Sequence, residues 1–288
     1  MIKRILSLMA LAALTCSCFL VGGGSQQGSS DQDGQEQGQV QTFLGGEAVT
    51  PKPSKAADGP LEMPALTSED ELIRHGGYVI SYNSDYRIPN WVAYELTSDE
   101  THGDEERGDR MFSMDPKYKK KQAMREDYRD SGWTKGHMAP AADFRWDEEA
   151  MDETFYLTNV CPQNEFLNAN DWEYLERQVR YWAGKFGKVW VVTGPVVGDN
   201  RYGTIGDNDV VVPDSFFKAV LACKDGKYRS IAFLMDNDSQ RYYLADCSMS
   251  VDELEEYTGL DFFPALDDSI EESVEAQYRP GDWGIKSR

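Results

Sequence analysis

The stretch SGWTKGHMAPAADF, residues 131–144, contains one of only three histidines in a chain of 288 residues. Imidazole is the side chain whose ordinary pKa lies nearest neutrality, so His137 can take a proton from water near pH 7. Gly136 before it would let a ligand approach the backbone closely, and Lys135 adds a positive charge. The stretch therefore indicates a general base beside an anionic substrate, although a single loop histidine also fits a structural role.

A long helix is predicted over residues 165–185, EFLNANDWEYLERQVRYWAGK. Polar or aromatic side chains recur in it at every fourth residue: Asn168, Trp172, Glu176 and Arg180. Each step of four advances about 40° around an α-helix, so these side chains form one broad stripe. The stripe sets an amide, a carboxylate and a guanidinium in a row. An ordinary polar helix face with a Glu176–Arg180 ion pair explains the same spacing.

The rest of the folded part combines paired strands with blocks of helix. Alternating or continuously apolar runs predict strands at 78–83, 90–97 and 188–197, and an Asp-Gly turn predicts a hairpin within 216–236. A capped helix is expected over 250–259. Because strand and helix do not alternate strictly, the pattern predicts an α+β domain with a central, mostly antiparallel sheet flanked by helices.

Three shorter elements complete the predicted secondary structure. Thr67 or Ser68 is expected to cap a short helix, and residues 116–130 are expected to form a helix or helical loop. A strand within 153–163 is expected to end before Pro162, because proline cannot donate to a sheet ladder.

The first 24 residues are typical of an export signal. Lys3 and Arg4 precede an apolar run over residues 5–21. Cys18, after a small residue at the end of that run, resembles a bacterial lipoprotein cleavage site and indicates a lipid anchor. A plain secretory signal cut near Gly23 and an uncleaved anchor are the alternatives. The segment therefore predicts an exported protein that is extracellular, periplasmic or membrane-anchored.

Composition divides the rest of the chain into two parts. Residues 25–65, rich in Gly, Gln and Ser, have little to bury and are expected to be a disordered linker. Residues 66–288 are expected to form one folded domain. Export would permit a disulfide between Cys223 and Cys247, which lie in neighbouring strand-like segments. Cys161 has no metal-type spacing to another cysteine and is expected to be buried and structural.

The charge is strongly negative but unevenly distributed. The net charge is −21, which by itself argues against a polyanionic partner. Residues 110–145 nevertheless contain nine Lys or Arg and five Asp or Glu, a net +4, whereas residues 236–276 have a net −12. Local sign matters most at contact range, because the Debye length is about 8 Å at physiological salt. The basic segment suits phosphate guidance, although a solvated helix face explains it equally.

Two stretches, SGWTKGHMAPAADF and YLTNVCPQNEFLNANDWEYLERQVR, together resemble the DNA/RNA non-specific endonuclease family, whose active site is a ββα-metal (His-Me) finger. The likeness extends over about residues 70–265 and combines three patterns: G-H-x-A-P, T-N-x-x-P-Q and N-x3-W-x3-E. The resemblance implies a His-Me finger fold and a metal-dependent endonuclease that hydrolyses phosphodiester bonds of both DNA and RNA. It implies Mg²⁺ as the cofactor, with Mn²⁺ as a substitute.

The resemblance also implies a role for each matching residue. His137 matches the general base, Asn168 the single protein ligand of Mg²⁺, and Glu176 the carboxylate that holds water at the metal. Arg180 matches an arginine that stabilises the phosphate, and Asn159 an asparagine that supports the site. Lys135 is expected to bind substrate together with Arg180.

One departure from the family pattern leaves two alternatives open. The family box is usually D-R-G-H, but Thr134 and Lys135 occupy its first two places here. Lysine keeps the charge and loses the two-pronged grip of arginine on phosphate. A phosphodiesterase for another phosphate ester and a catalytically silent, surface-tethered binding module therefore remain as rivals to the endonuclease.

Overall fold

The computed structural model describes residues 59–286. The predicted signal (1–24), the lipid attachment at Cys18 and most of the predicted linker (25–65) lie outside these residues. Within the described part, Met63 is buried and the Ala65 N–H donates to the Asp261 carbonyl at 2.9 Å. The chain is thus attached to the body a few residues before Leu66, and the domain limits stay a prediction.

Eleven strands run through the described residues. In chain order they are β1 (Leu72–Arg74), β2 (Val79–Asn83), β3 (Ile88–Thr97), β4 (Thr134–His137), β5 (Val160–Gln163), β6 (Lys188–Val196), β7 (Thr204–Ile205), β8 (Val210–Val211), β9 (Ser215–Lys224), β10 (Lys227–Asp236) and β11 (Ser248–Met249). Seven form the central sheet in the order β1-β2-β3-β6-β9-β10-β11, with every neighbouring pair antiparallel. The α+β prediction with a mostly antiparallel sheet is therefore confirmed.

Five α-helices accompany these strands in the described part. They are α1 (Glu148–Glu153), α2 (Glu173–Phe186), α3 (Leu244–Cys247), α4 (Val251–Thr258) and α5 (Asp268–Glu275). A π-helical turn, Leu167–Trp172, leads directly into α2. The predicted helix over 165–185 thus exists, but its first turn is wider than an α-helical one.

Local signals explain several of these elements. Asp225 and Gly226 both have positive φ, 54° and 72°, which a two-residue hairpin turn requires, and they join β9 to β10 as predicted. Ser250 caps α4, since its hydroxyl accepts from the Glu253 N–H while the Glu253 carboxylate accepts from the Ser250 N–H. Gly259 ends α4 in the left-handed conformation.

Two local predictions are wrong, and a third, the helix or helical loop over residues 116–130, holds only in part. No helix follows Thr67, because its N–H and hydroxyl both bond the Asp70 carboxylate in a turn that leads into β1. Residues 116–130 contain only a 3-10 turn, Arg125–Tyr128. Strand β5 continues through Pro162, because a two-stranded ladder leaves the proline nitrogen on an edge where no donor is needed.

The central sheet is covered on both faces. Successive side chains of a strand point to opposite faces, so Phe216 and Phe217 of β9 face opposite ways. Phe216 packs on Trp172, at the start of the long helix, with ring centroids 5.7 Å apart. Phe217 packs at the same distance on Phe262, just after α4. The long helix therefore lies on one face of the sheet, and the acidic C-terminal segment lies on the other.

All three described cysteines are free thiols. The expected Cys223–Cys247 disulfide is therefore wrong. Cys223 is paired in register with Tyr228 near the end of β9, whereas Cys247 is buried in α3. Cys161 is completely buried, as expected, and burial raises its pKa well above the ordinary thiol range.

Candidate active site

Two short strands and the long helix form a ββα unit outside the central sheet. β4 pairs antiparallel with β5, placing His137 opposite Val160 and Thr134 opposite Gln163. Beyond β5, the Asn164 side chain accepts from the Phe166 N–H at 2.9 Å and starts the helical turn. Residues that lie 30 or more positions apart in the sequence are thereby brought onto one compact scaffold.

Gly136 in β4 serves packing rather than ligand approach. A Cβ there would lie 2.1 Å from the Gln163 side-chain oxygen, which fills the space that glycine leaves. Gly136 was expected to open the backbone to a substrate. The structure gives it a steric role instead, because any side chain at this position would keep β4 from pairing with β5.

His137 lies at the end of β4 between two aromatic rings. Phe112 and Phe155 have ring centroids 5.0 and 5.2 Å from the imidazole. Nε2 is buried without a hydrogen-bond partner, whereas Nδ1 is not among the buried unpartnered atoms. Nδ1 is therefore the nitrogen that can accept a proton from water. Burial, followed by the charge of Arg107, lowers the pKa of His137 to about 3. The imidazole is therefore neutral at neutral pH, which is the form a general base needs.

Asn159 holds the backbone that follows His137. Its amide donates to the Ala139 and Thr154 carbonyls at 2.9 Å each and accepts from the Ala139 N–H at 2.9 Å. The side chain is completely buried and its polar atoms are all used on main chain. Asn159 thus acts on the site through backbone geometry and does not itself face a substrate.

Asn168 lies in the π-helical turn, next to Thr134 on β4. Its Nδ2 donates to Thr134 Oγ1 at 3.0 Å, and Thr134 Oγ1 donates to the Gln163 carbonyl at 2.8 Å. Asn168 Oδ1 has no protein partner among the described residues. The π-turn also alters the predicted stripe, because the step from Asn168 to Trp172 crosses a wider turn than an α-helix has.

Glu176 on α2 is accompanied by a buried lysine on β9. Lys218 is completely buried, its Nζ has no hydrogen-bond partner, and it lies 4.8 Å from the Trp172 ring centroid. Burial raises the pKa of Glu176, and the positive charge of Lys218 opposes that rise. Burial likewise lowers the pKa of Lys218, and the charge of Glu176 opposes that fall. Each group therefore favours the charged form of the other.

Arg180 is fixed one helical turn beyond Glu176. Its Nη1 donates to the completely buried Asp143 carboxylate at 2.7 Å, and the Tyr94 hydroxyl donates to the other carboxylate oxygen at 2.8 Å. Its side chain is still 19% exposed, so part of the guanidinium can meet a ligand. The expected Glu176–Arg180 ion pair is not among the described ion pairs, because Asp143 takes the arginine instead.

Two further cations lie around His137. Lys135 Nζ lies 4.8 Å from the Tyr128 ring centroid, and Lys135 and His137 are two residues apart on a strand and therefore share a face. The exposed Arg107 lies over Phe155, 5.2 Å from the ring centroid, and acts electrostatically on His137. Sequence patterns did not single out Arg107, because it lies in a predominantly acidic segment and belongs to no motif.

The other two histidines are held by the protein. The His75 imidazole lies 3.0 Å from the Asp115 carboxylate and 3.1 Å from that of Glu153, with its side chain fully buried. His102 is bonded through Nδ1 to the Ser98 carbonyl at 2.8 Å. Neither is joined by a described contact to the ββα unit's polar residues, so His137 is the histidine best placed for chemistry.

The donor set suits a hard divalent cation. Asn168 offers a neutral amide oxygen with no protein partner, and the Glu176 carboxylate makes no described ion pair or hydrogen bond. Mg²⁺ prefers oxygen ligands and usually keeps several waters, so one or two protein oxygens at a partly open site are enough. Asn168 would hold such an ion, and Glu176, further along the same helix, would support it.

Comparison with known proteins points to one family. The family model of the DNA/RNA non-specific endonucleases matches residues 61–269. Mitochondrial nuclease EXOG of Danio rerio is 40% identical over 204 residues, covering 66% of this chain and 60% of that protein. Mitochondrial endonuclease G of Bos taurus is 33% identical over 232 residues, covering 76% of this chain and 78% of that protein. The solved structure of the EndoG/EndoGI complex matches with a TM-score of 0.66 at 30% identity, covering 72% of this chain and 89% of the other.

The same relatives correct the expected location. EXOG and endonuclease G are both named mitochondrial proteins, which contradicts the prediction of an exported, extracellular or periplasmic protein. A basic, acid-free segment is a feature that export signals share with mitochondrial transit peptides, and the first acid in this chain is Asp31. Within residues 59–286, no helix has both the length and the apolar character of a membrane span.

The chain spans about 60% of the length of the EXOG relatives that it matches.

Proposed function

The chain belongs to the DNA/RNA non-specific endonuclease family, and from this we propose that it hydrolyses phosphodiester bonds of both DNA and RNA with the help of a divalent cation, Mg²⁺ or, as a substitute, Mn²⁺. The observation that carries the proposal is the ββα unit itself. It joins a neutral imidazole on β4 to a helix that presents Asn168 and Glu176.

His137 is proposed as the general base. Its Nδ1 takes a proton from the water that attacks phosphorus, and the rings of Phe112 and Phe155 keep the imidazole neutral beforehand. An anionic phosphate nearby would raise the pKa of His137 again, because a negative charge favours the imidazolium. The base therefore gains proton affinity when substrate is present.

Asn168 is proposed as the protein ligand of the cation, with Glu176 holding water beside it. When bound, Mg²⁺ supplies a double positive charge that polarises the phosphoryl oxygen and stabilises the leaving oxygen. A neutral amide ligand suits this role because it leaves that charge undiminished. Thr134 orients the amide of Asn168, and the charge of Lys218 favours the ionised form of Glu176.

Cations around the base are proposed to bind the phosphate. Arg180, partly exposed and braced by Asp143, would offset the charge that develops in the transition state, together with Lys135 and Arg107. These groups meet the phosphate backbone and not the base edges, so little sequence preference is expected. The usual arginine of the family box is replaced by Lys135, which favours weaker phosphate binding.

Digestion assays test the proposal. The full chain is incubated with plasmid DNA and with RNA, with Mg²⁺ and with a chelator; we expect both substrates to be degraded only with the cation. His137→Ala is expected to reduce turnover by about 10²- to 10⁴-fold. His102→Ala, a histidine change on the exposed surface, is the matched control and should retain activity. Cleavage that survives chelation, or His137→Ala turnover equal to that of the control, would contradict the proposal.

A further inference from the structure

Three carboxylates converge on the face of the sheet opposite α2. Asp252 and Glu255 are one helical turn apart on α4, and Glu275 ends α5. Each offers an oxygen, and these oxygens all lie within 4.8 Å of one another. α5 is held against β10 there, where the Ser230 hydroxyl donates to the Val274 carbonyl at 2.8 Å.

Glu275 shows that the convergence is more than surface acidity. Its side chain is buried, with the residue only 4% exposed, and Oε1 has no hydrogen-bond partner. None of the three carboxylates takes part in an ion pair among residues 59–286. A buried carboxylate without a partner is costly unless a proton or a cation accompanies it.

The surroundings add negative charge. Asp252, Glu255 and Glu275 act on one another electrostatically, and the Glu255 carboxylate also accepts from the Phe262 N–H at 2.7 Å. Asp261 and Glu271 are the other contributing acids, and no lysine or arginine figures among the charges that act on Glu255 or Glu275. A cluster of this kind holds either protons or a cation.

We propose that Asp252, Glu255 and Glu275 bind a Ca²⁺ ion that links α4 to α5, on the face of the sheet away from His137. Ca²⁺ takes about six to eight oxygen ligands in a flexible geometry, which carboxylates on two different helices together with waters can supply. Mg²⁺ demands a near-ideal octahedral arrangement and usually binds through only one or two carboxylates. The three carboxylates on two helices, and the absence of nitrogen or sulfur ligands in the cluster, favour calcium.

This site is distinct from the family's active site. The family match ends at residue 269, so Glu275 lies beyond it, whereas Asp252 and Glu255 lie within it. Alternation along β9 places the two sites on opposite faces of the sheet. Calcium there would act on stability, by clamping the C-terminal helix to the body, and would not take part in hydrolysis.

Calcium binding is tested on the full chain by isothermal titration calorimetry and thermal denaturation. Glu275→Gln removes the buried ligand charge, and Glu272→Gln, an exposed acid on the same helix, is the matched control. Asn168→Ala removes the proposed catalytic ligand. We expect wild type, Glu272→Gln and Asn168→Ala to bind Ca²⁺, with a rise in Tm of about 5 °C at roughly 100 times the measured Kd.

Glu275→Gln is expected to lose both the binding heat and the calcium-dependent rise in Tm. Its Tm in chelator should stay close to that of wild type, because glutamine matches the size and polarity of a carboxyl group that is protonated when no cation is bound, and this distinguishes lost binding from lost folding. Calcium binding that persists in Glu275→Gln would overturn the proposal, as would binding lost only in Asn168→Ala. Absence of calcium binding in wild type, with a Tm that rises as the pH falls, would mean that the cluster holds protons instead.

Discussion

The Asn168 amide donates a 3.0 Å hydrogen bond to Thr134 Oγ1, joining the π-helical turn to strand β4. Thr134 in turn donates to the Gln163 carbonyl, so its hydroxyl has one lone pair directed at Asn168. This fixes which end of the amide faces outward: nitrogen toward threonine, oxygen toward the proposed cation. The residue that departs from the usual aspartate of the family box therefore has a defined role in this chain.

Replacing Thr134 tests that role. Thr134→Val keeps the shape and removes the acceptor, so the Mg²⁺ concentration for half-maximal cleavage should rise by about 10- to 100-fold. Thr134→Ser restores a hydroxyl and should stay close to wild type. Metal titrations of plasmid cleavage measure this directly. Equal metal requirements for Thr134→Val and Thr134→Ser would show that the hydrogen bond does not orient Asn168.

The low pKa of His137 predicts a pH-dependent stability. In the unfolded chain its pKa is near 6.5, and in the folded protein it is about 3. As the pH falls from 6.5 toward 3, the unfolded state binds a proton that the folded state does not, so stability is lost across that window. Between pH 6.5 and 4.5 the loss from this group is about 2–3 kcal/mol.

Chemical denaturation at these two pH values, compared between wild type and His137→Gln, isolates this contribution. Carboxylates such as Asp115 and Glu153 titrate alike in both proteins, so their effect cancels in the comparison. The free energy of unfolding should fall less in the variant than in wild type. The same fall in both would mean that the folded imidazole takes up protons near its ordinary pKa.

Lys218 is expected to set the acid limit of activity through Glu176. Lys218→Met keeps the bulk of the buried side chain and removes the charge that lowers the pKa of Glu176. The acid limb of the kcat/KM profile should therefore move to higher pH by about one unit. Lys224→Met, at the exposed end of the same strand, is the control. An unmoved acid limb in a folded Lys218→Met protein would exclude this coupling.

Asn159 is expected to matter for folding as well as for activity. Asn159→Ala removes three buried hydrogen bonds and leaves main-chain groups of Ala139 and Thr154 without a partner. The free energy of unfolding should fall by about 3 kcal/mol, as measured by urea denaturation. Asn170→Ala breaks one exposed hydrogen bond, to the Phe166 carbonyl, so its free energy of unfolding should fall by less than about 1 kcal/mol. Similar losses of unfolding free energy in both variants would contradict the role of Asn159 in holding the backbone after His137.

Two errors in the sequence-based prediction concern contacts that local patterns do not specify. Residues 67–70 carry helix-capping side chains, but Asp70 also accepts from Ser81 on the adjacent strand, and the segment is drawn into the sheet edge. Cys223 lies in β9 and Cys247 in α3, with β10 between them along the chain, and both thiols are free in the folded chain. In the first case a contact made by a distant residue outweighs a local signal, and in the second the local signal did not specify a contact at all.

The amino-acid sequence by itself determined the elements whose signals are local. Alternation predicted β2 and β3, the Asp225-Gly226 turn predicted the β9–β10 hairpin, and the Ser250 cap predicted α4. Each depends on residues within a few positions of one another, because backbone conformation and side-chain periodicity act at that range. The motifs around His137 and Asn168 likewise sufficed to indicate the family.

Only the tertiary structure decided how those motifs are supported. Burial of Lys218 behind Glu176, the Asp143 brace on Arg180 and the bond from Asn168 to Thr134 join residues 34 to 42 positions apart. No periodic pattern encodes such pairs, because they arise where a two-stranded ladder, a π-turn and a sheet face pack together. The proposed chemistry depends on these pairs, because they set the charge state and the orientation of groups that sequence motifs could only name.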